Sequence, residues 1–327
     1  MHSTPAWRAD PSRKLIFMFS GQGSHYFQMG AALYQQQPEF RRQLHALNDM
    51  ARAICGVDVI GAIHDEARKK SHTFDDLALT HPAIYIVQTA LARTLMAHGV
   101  QPDGVLGVSM GNFAAATVAG SLTAEGALGA LARQARALLR DAEPGAMLAL
   151  LGEATLYQQH ALLRERSDIA AINTPASFVL ALPESGRAAL EQLLRQHHVN
   201  FQRMAVTRAF HSRWIDAAAG AARWPYALAV PRLPWFCTTH AGLVDAPDPD
   251  YLWRVVRQPI QMIPTLRQME LGGHYDYLDL SASGTLAVVL KYLLPVDSKA
   301  CYMTVMSPFG SDVDRFNQVC AHARQSE

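Results

Sequence analysis

Ser109 stands in Gly107-Val108-Ser109-Met110-Gly111, between a short apolar run (Val105, Leu106) and a small-residue stretch from Asn112 to Gly120. A strand running into such a G-x-S-x-G turn and a helix running out of it force the serine onto a tight bend and present its hydroxyl as a nucleophile. That hydroxyl is weak at its free pKa, so it needs a base within hydrogen-bond reach, usually a histidine. Fourteen histidines compete for the role. His211 leads by position, because it follows an apolar segment, has small and apolar neighbours rather than charges, and lies C-terminal to the serine.

The elements needed to position this pair follow from the pattern around it. Lys14 to Phe19 is an apolar run of the kind buried on both faces of a parallel sheet. It leads into Ser20-Gly21-Gln22-Gly23-Ser24, whose glycines let the backbone approach something closely. Helical patterns cover Pro38 to Lys70 and Leu122 to Leu139, and Thr80-His81-Pro82 opens another through Met96, with Pro82 suited to a first turn. From Ala146 to Val206 the texture changes to short strands (Ala146 to Gly152, Ala170 to Asn173, Phe178 to Leu182, Asn200 to Val206) and one clear helix from Ser185 to His197. The chain therefore reads as an α/β large domain with an inserted α+β subdomain. Helices from Trp214 and from Asp250 to Arg257 follow, with a strand at Trp235 to Thr238 between them. Tyr277 to Leu280 reads as the last strand.

Composition narrows the class. With 327 residues, half of them apolar, and a formal charge of +1, the chain is a globular protein with room for a large and a smaller domain. No basic patch points to nucleic acid, and no apolar run reaches the ~20 residues of a membrane helix. Without a hydrophobic signal core at its start, the cytoplasm is the expected compartment. Cys55, Cys237, Cys301 and Cys320 show no C-x-x-C pairing, which argues against a disulfide framework and a zinc site.

Five motifs, taken in order, carry a family resemblance: Gly21-Gln22-Gly23-Ser24, Gly107 to Gly111, Asn173-Thr174-Pro175, Ala209-Phe210-His211-Ser212 and Gln258-Pro259-Ile260. Together they resemble the malonyl-transacylase-like acyltransferases of fatty-acid and polyketide synthases, including the free-standing members that serve carrier proteins in trans. The resemblance implies a hydrolase-like large domain with a parallel sheet (1–144 and 208–327) and a ferredoxin-like small subdomain (145–207). It implies a Ser109–His211 pair without an acidic third member, the imidazole being oriented by the backbone carbonyl of Gln258. The amides of Gln22 and Met110 would form the oxyanion hole, and Asn173, Val108 and Phe210 would lie along the substrate. An acyl carrier protein, with its phosphopantetheine-bound acyl group, is the implied partner, and acyl-CoA a possible donor. No cofactor or metal is implied, and a monomer is the simplest state.

Departures from the family pattern bear on the substrate. Malonyl-specific members hold the extender carboxylate with an arginine in the helix after the serine, and the corresponding position here is Gln134. A neutral amide would leave a buried carboxylate uncompensated, so a neutral acyl group fits better. A one-residue slip in this alignment would put Arg133 in the pocket and restore the malonyl reading. Val108 stands where many members have histidine, and Arg208 where histidine is also common. Within the resemblance, free-standing members with glutamine at the arginine position look like acylhydrolases, which clear acyl groups from carrier proteins in trans-acyltransferase polyketide pathways. That is the preferred expectation. An acyltransferase loading malonyl or another acyl unit from CoA is the alternative, and an inactive carrier-protein-binding module the second. Arg203, Arg208 and Arg213 either form a basic docking face for the acidic helix of a carrier protein or are ordinary solvated arginines.

Overall fold

Alternate residues of the first strand belong to different cores. In a computed structural model that describes residues 10 and 12–323, Leu15, Phe17 and Phe19 pack into one apolar cluster and Ile16 and Met18 into another. A strand covered on both faces has no polar side to show, which is why the Lys14–Phe19 run is continuously apolar rather than alternating.

Ten strands follow in chain order: β1 (Lys14–Phe19), β2 (Gly104–Gly107), β3 (Gly145–Leu151), β4 (Asp168–Thr174), β5 (Ser177–Pro183), β6 (Asn200–Arg203), β7 (Trp235–Cys237), β8 (Gly242–Leu243), β9 (Tyr275–Asp279) and β10 (Tyr302–Thr304). The large sheet has the order β10-β9-β1-β2-β7-β8 and is parallel except for β8. One face carries residues of the helices Pro38–Cys55, Leu77–Ala97 and Ala124–Asp141; the other carries Met262–Gly272 and Thr285–Leu293. The second sheet, β4-β5-β3-β6, is antiparallel, with helices between β3 and β4 and between β5 and β6. That βαββαβ order is the ferredoxin-like arrangement, and it has its own apolar cluster built on Leu148, Phe178, Leu180 and Leu190. The small sheet is tied to the segment between the helices Tyr251–Arg257 and Met262–Gly272 where Ala171 of β4 bridges Ile260.

Several local expectations are revised. The helix expected to open at Thr80 begins at Leu77, because the Asp76 carboxylate accepts from the Ala78 amide at 3.0 Å and caps it; Pro82 lies inside. The pattern from Pro38 to Lys70 breaks at Gly56, whose φ of 76° ends the helix there. Tyr277 lies inside β9, which is not the last strand, since β10 pairs alongside it. Strand β10 is short and half-exposed, so it carries little apolar signal.

Among the described residues no helix is long and apolar enough to cross a membrane, no group of three or more His, Cys, Asp or Glu side chains is placed to hold a metal ion, and the four cysteines are free thiols.

The turn that carries Ser109 is shaped by its glycines. A Cβ on Gly111 would run into the Phe19 carbonyl at the end of β1, and one on Gly107 would run into the Asn112 side chain. Backbone cannot step aside as a flexible side chain can, so Gly111→Ala should cost about 3 kcal/mol in a urea titration. Gly56→Ala, with a left-handed φ but nothing within 4 Å, should cost only about 1–2 kcal/mol.

Candidate active site

Strands β1 and β2 are neighbours in register, Phe19 opposite Gly107, so the loops leaving their carboxyl ends lie side by side. In an open parallel sheet, that is where ligands bind. The loop after β2 places Ser109 at φ 53°, a left-handed conformation that few side chains adopt, and the helix Gly111–Val118 begins directly after it. Asn112 holds the turn: its Nδ2 donates to the Ser109 carbonyl at 2.9 Å, and its Oδ1 accepts from Trp235 Nε1 at 3.0 Å.

His211 also has a left-handed φ, 61°, and its amide donates to the Val256 carbonyl. Its ring joins two partners. Nδ1 lies 2.7 Å from the Gln258 carbonyl, and Nε2 lies 2.6 Å from Ser109 Oγ. A carbonyl can only accept, so Nδ1 carries the proton and Nε2 presents a lone pair to the serine hydroxyl. Burial pushes the His211 pKa down to about 4; the Gln258 carbonyl opposes that shift and Arg257 adds slightly to it. The imidazole is therefore neutral at pH 7, able to accept a proton from Ser109. Gln258 exposes its side chain and contributes only its backbone.

The loop after β1 lies over the serine. A Cβ on Gly21 would sit 2.9 Å from Ser109 Cβ and 3.0 Å from the Met110 amide nitrogen, so this glycine keeps open the space in front of the hydroxyl. Gln22 and Met110 flank that space, and neither amide N–H has a hydrogen-bond acceptor among the described residues. Six side chains pin the loop. Gln88 accepts from the Ser20 amide at 2.8 Å and donates to the Ser20 carbonyl at 2.9 Å. Ser24 Oγ donates to the Gly21 carbonyl, and His25 Nδ1 accepts from Gly23. Gln22 Nε2 donates to Thr80 Oγ1 at 2.9 Å and to His81 Nδ1 at 3.0 Å.

Of the other expected residues, Phe210 is buried, with its ring 6.0 Å from that of His81. Val108 is buried in the apolar cluster with Ile16, Leu106 and Phe236. Asn173 is half-buried near the end of β4, two residues from the bridge between Ala171 and Ile260. Gln134 is buried in the helix Ala124–Asp141; its Nε2 donates to the Leu252 carbonyl at 3.0 Å, and its Oε1 has no partner among the described residues. Arg133 is exposed, in a surface cleft with Arg136, Arg140 and Trp224. The slip that would bring it inward is not what the helix does.

Of the three arginines offered either for a basic face or as solvated residues, Arg208 fits neither description. Arg208 is buried, and its guanidinium donates to the carbonyls of Leu138, Leu139 and Thr207. It caps the end of the 124–141 helix, where carbonyls lack partners. Arg203 is paired with Glu184 and Arg213 with Asp168. A cavity of about 1000 Å³ beside Leu266, Tyr292 and Lys299 is lined by none of these residues.

Thr80, His25 and Gln88 were not singled out for the site from sequence. The signal for Gln88 was a lone amide in a helix otherwise nearly all buried apolar residues.

A parallel sheet bearing a serine turn, interrupted by a ferredoxin-like unit, is the two-subdomain fold of the acyltransferases. The chain belongs to the acyl transferase domain family, whose model matches residues 16–299. It is 33% identical to the polyketide biosynthesis acyltransferase homolog BaeD of Bacillus velezensis, over 94% of this chain and 96% of that protein. It is 37% identical to the polyketide biosynthesis protein ThaF of Burkholderia thailandensis over 92% of its own length, but spans only 26% of ThaF. The acyltransferase domain from the second module of the salinomycin polyketide synthase superposes with a TM-score of 0.82 at 27% identity, covering 96% of this chain and 74% of that one.

His25, His81 and His211 have pKa values lowered by burial to about 4, 3 and 4. On the unfolded chain each returns to about 6.5 and takes up a proton first as pH falls. Stability should thus be full above about pH 7 and decline as pH drops from 6.5 towards 4. Urea titrations across that range should show the slope reduced by about one proton in His211→Ala.

Proposed function

We propose that this protein is a serine acylhydrolase of polyketide biosynthesis, removing neutral acyl groups from the phosphopantetheine of acyl carrier proteins. On this reading Ser109 Oγ attacks the thioester carbonyl while His211 Nε2 takes its proton. The amides of Gln22 and Met110 receive the oxyanion, in line with their lack of other acceptors. Collapse breaks the carbon–sulfur bond, and the thiolate leaves with the proton from Nε2. Water then attacks the Ser109 ester, again giving its proton to Nε2, and the acid departs as that proton returns to Ser109. Gln258 keeps the imidazole in the working tautomer throughout.

Residues 145–207 are assigned to the inserted subdomain and 1–144 with 208–327 to the large domain. The reactive pair then lies near their seam, where Ile260 meets β4. The likeness to BaeD, named an acyltransferase homolog of polyketide biosynthesis, supports a thioester substrate in that chemistry, and a carrier protein is its natural bearer.

The observation that carries the hydrolytic reading is the state of Gln134. One N–H of its amide donates to the Leu252 carbonyl and its Oε1 has no partner among the described residues, so Gln134 brings a neutral amide and no cation, while Arg133 faces outward. A neutral amide leaves the carboxylate of a malonyl group without a compensating charge and tolerates a neutral chain. With no charged extender to retain, water is the simpler second nucleophile.

Incubation of acetyl- and malonyl-loaded carrier protein with the enzyme, followed by intact mass, tests the proposal. Acetyl should be lost at least tenfold faster than malonyl, and Ser109→Ala should lower the rate about 10³-fold or more. Gln134→Arg should narrow the acetyl-to-malonyl difference. Faster loading from malonyl-CoA than any deacylation would instead make it a transferase, and no trapped acyl-serine would leave a docking module. Because His211 stays neutral down to about pH 4, single-turnover acylation of Ser109 should be flat from pH 8 to about 5.5 and fall only as pH approaches 4.

A further inference from the structure

The outer side of the helix Ala124–Asp141 carries one stripe at helical spacing: Gly129, Arg133, Arg136 and Arg140. Together with Trp224 and Tyr226 it bounds a surface cleft of about 510 Å³, a volume suited to a small ligand. A Cβ on Gly129 would lie 3.0 Å from the tip of the Trp224 indole, so the glycine lets that ring lie against the helix. The Tyr226 ring, 64% exposed, meets the indole edge-on with 5.0 Å between centroids. Neither Ser109 nor His211 lines the cleft.

The charge of this cleft is unbalanced. No Asp or Glu among the described residues lines it. Arg133 has no hydrogen bond or ion pair among the described residues, Arg136 uses only its Nε, towards the Ala132 carbonyl at 3.1 Å, and Arg140 is paired with Asp141. Elsewhere on this chain of formal charge +1, exposed arginines meet carboxylates, as Arg52 meets Asp58, Arg195 meets Glu191 and Arg223 meets Asp250. Arginines three and four positions apart on one helix repel each other, so the stripe is unfavourable until an anion lies across it. Guanidinium forks match phosphate oxygens, and aromatic rings offer a face on which a nucleobase stacks. From Gly129 to Arg140 the stripe runs about 16 Å along the helix, comparable to an extended nucleoside triphosphate. We propose that this cleft binds a nucleoside polyphosphate such as ATP, with its base against Trp224 and Tyr226 and its phosphates along Arg133, Arg136 and Arg140. The site is separate from the acyl chemistry at Ser109 and does not rest on it.

Calorimetric titration of the protein with ATP, inorganic tripolyphosphate and adenosine tests the assignment. ATP should bind about tenfold more tightly than tripolyphosphate, with adenosine weakest. Joint Arg133→Gln and Arg136→Gln substitution should weaken ATP by roughly tenfold or more. Tyr226→Ala should bring ATP down to the level of tripolyphosphate and leave tripolyphosphate unchanged. All three side chains are exposed, so the variants keep the fold. An acyl pantetheine thioester, added to Ser109→Ala so that it is not turned over, should not displace ATP. No binding of ATP, binding that the arginine substitutions leave unchanged, or equal affinity for ATP and tripolyphosphate would overturn the proposal. So would displacement by the thioester, which would move ATP to the acyl pocket. An oligoglutamate peptide binding as tightly as ATP would make the cleft a docking face for acidic proteins and overturn the nucleotide assignment too.

Discussion

The bond from His211 Nδ1 to the Gln258 carbonyl is the constraint on which the site depends, because it alone decides which nitrogen faces Ser109. Its acceptor is held by backbone on both sides. The Gln258 amide closes the helix Tyr251–Arg257 by donating to Arg254, and Pro259 keeps the peptide extended with ψ near 152°. Beyond it, the Ile260 amide donates to Ala170 and the Gln261 amide to Thr238. The carbonyl therefore cannot rotate away without breaking both the seam to β4 and the tie to β7. A carboxylate in its place would stabilise an imidazolium. The uncharged carbonyl offsets burial only in part, which is why the ring rests neutral.

Both residues of the pair occupy left-handed backbone, and such a conformation persists only where its surroundings over-determine it. For Ser109 those surroundings are Asn112, Trp235 and the close approach of Gly111 to the Phe19 carbonyl. For His211 they are the Val256 carbonyl and the Ser212 hydroxyl, which donates to the Ala209 carbonyl. The two turns are thus braced by separate elements, β1 with β7 on one side and the 251–257 helix on the other. Their meeting at 2.6 Å is a property of the whole large domain.

Much of this was legible in residue order. The continuous apolar run of β1, the glycines flanking Gln22 and Ser109, and the strand-rich texture after Gly145 each encode one local geometry, and each element lies where its pattern puts it. The two sides of the site differ in this respect. Ser109 announces itself through sequence neighbours, whereas His211 stands out from 13 other histidines only in the company of four other motifs. What pattern could not supply was side-chain commitment. Arg208 looks like any surface arginine until its guanidinium is seen closing the 124–141 helix, and Thr80-His81-Pro82 looks like a helix start until Asp76 is seen to cap three residues earlier. Gln88 and His25 act across long sequence separations, where no local spacing records the partner.

The helix Ala124–Asp141 shows how narrow the margin between two chemistries is. Successive residues on a helix point about 100° apart, and here Arg133 falls on the side of Arg136 and Arg140 while Gln134 falls on the side of Leu131 and Leu138. The buried face of this helix, which includes Leu131, Gln134, Ala135 and Leu138, packs against neighbouring helices such as Pro38–Cys55 and Leu77–Ala97, while Arg133, Arg136 and Arg140 form its outer side. Turning the helix to bring Arg133 in would expose Leu131 and Leu138, at about 1.5–3 kcal/mol for each side chain, and would break the Gln134 bond to Leu252. The outward guanidinium is therefore fixed by apolar packing along the helix rather than by anything in the site, and on the proposed reading the neutrality of the acyl pocket follows from the same packing.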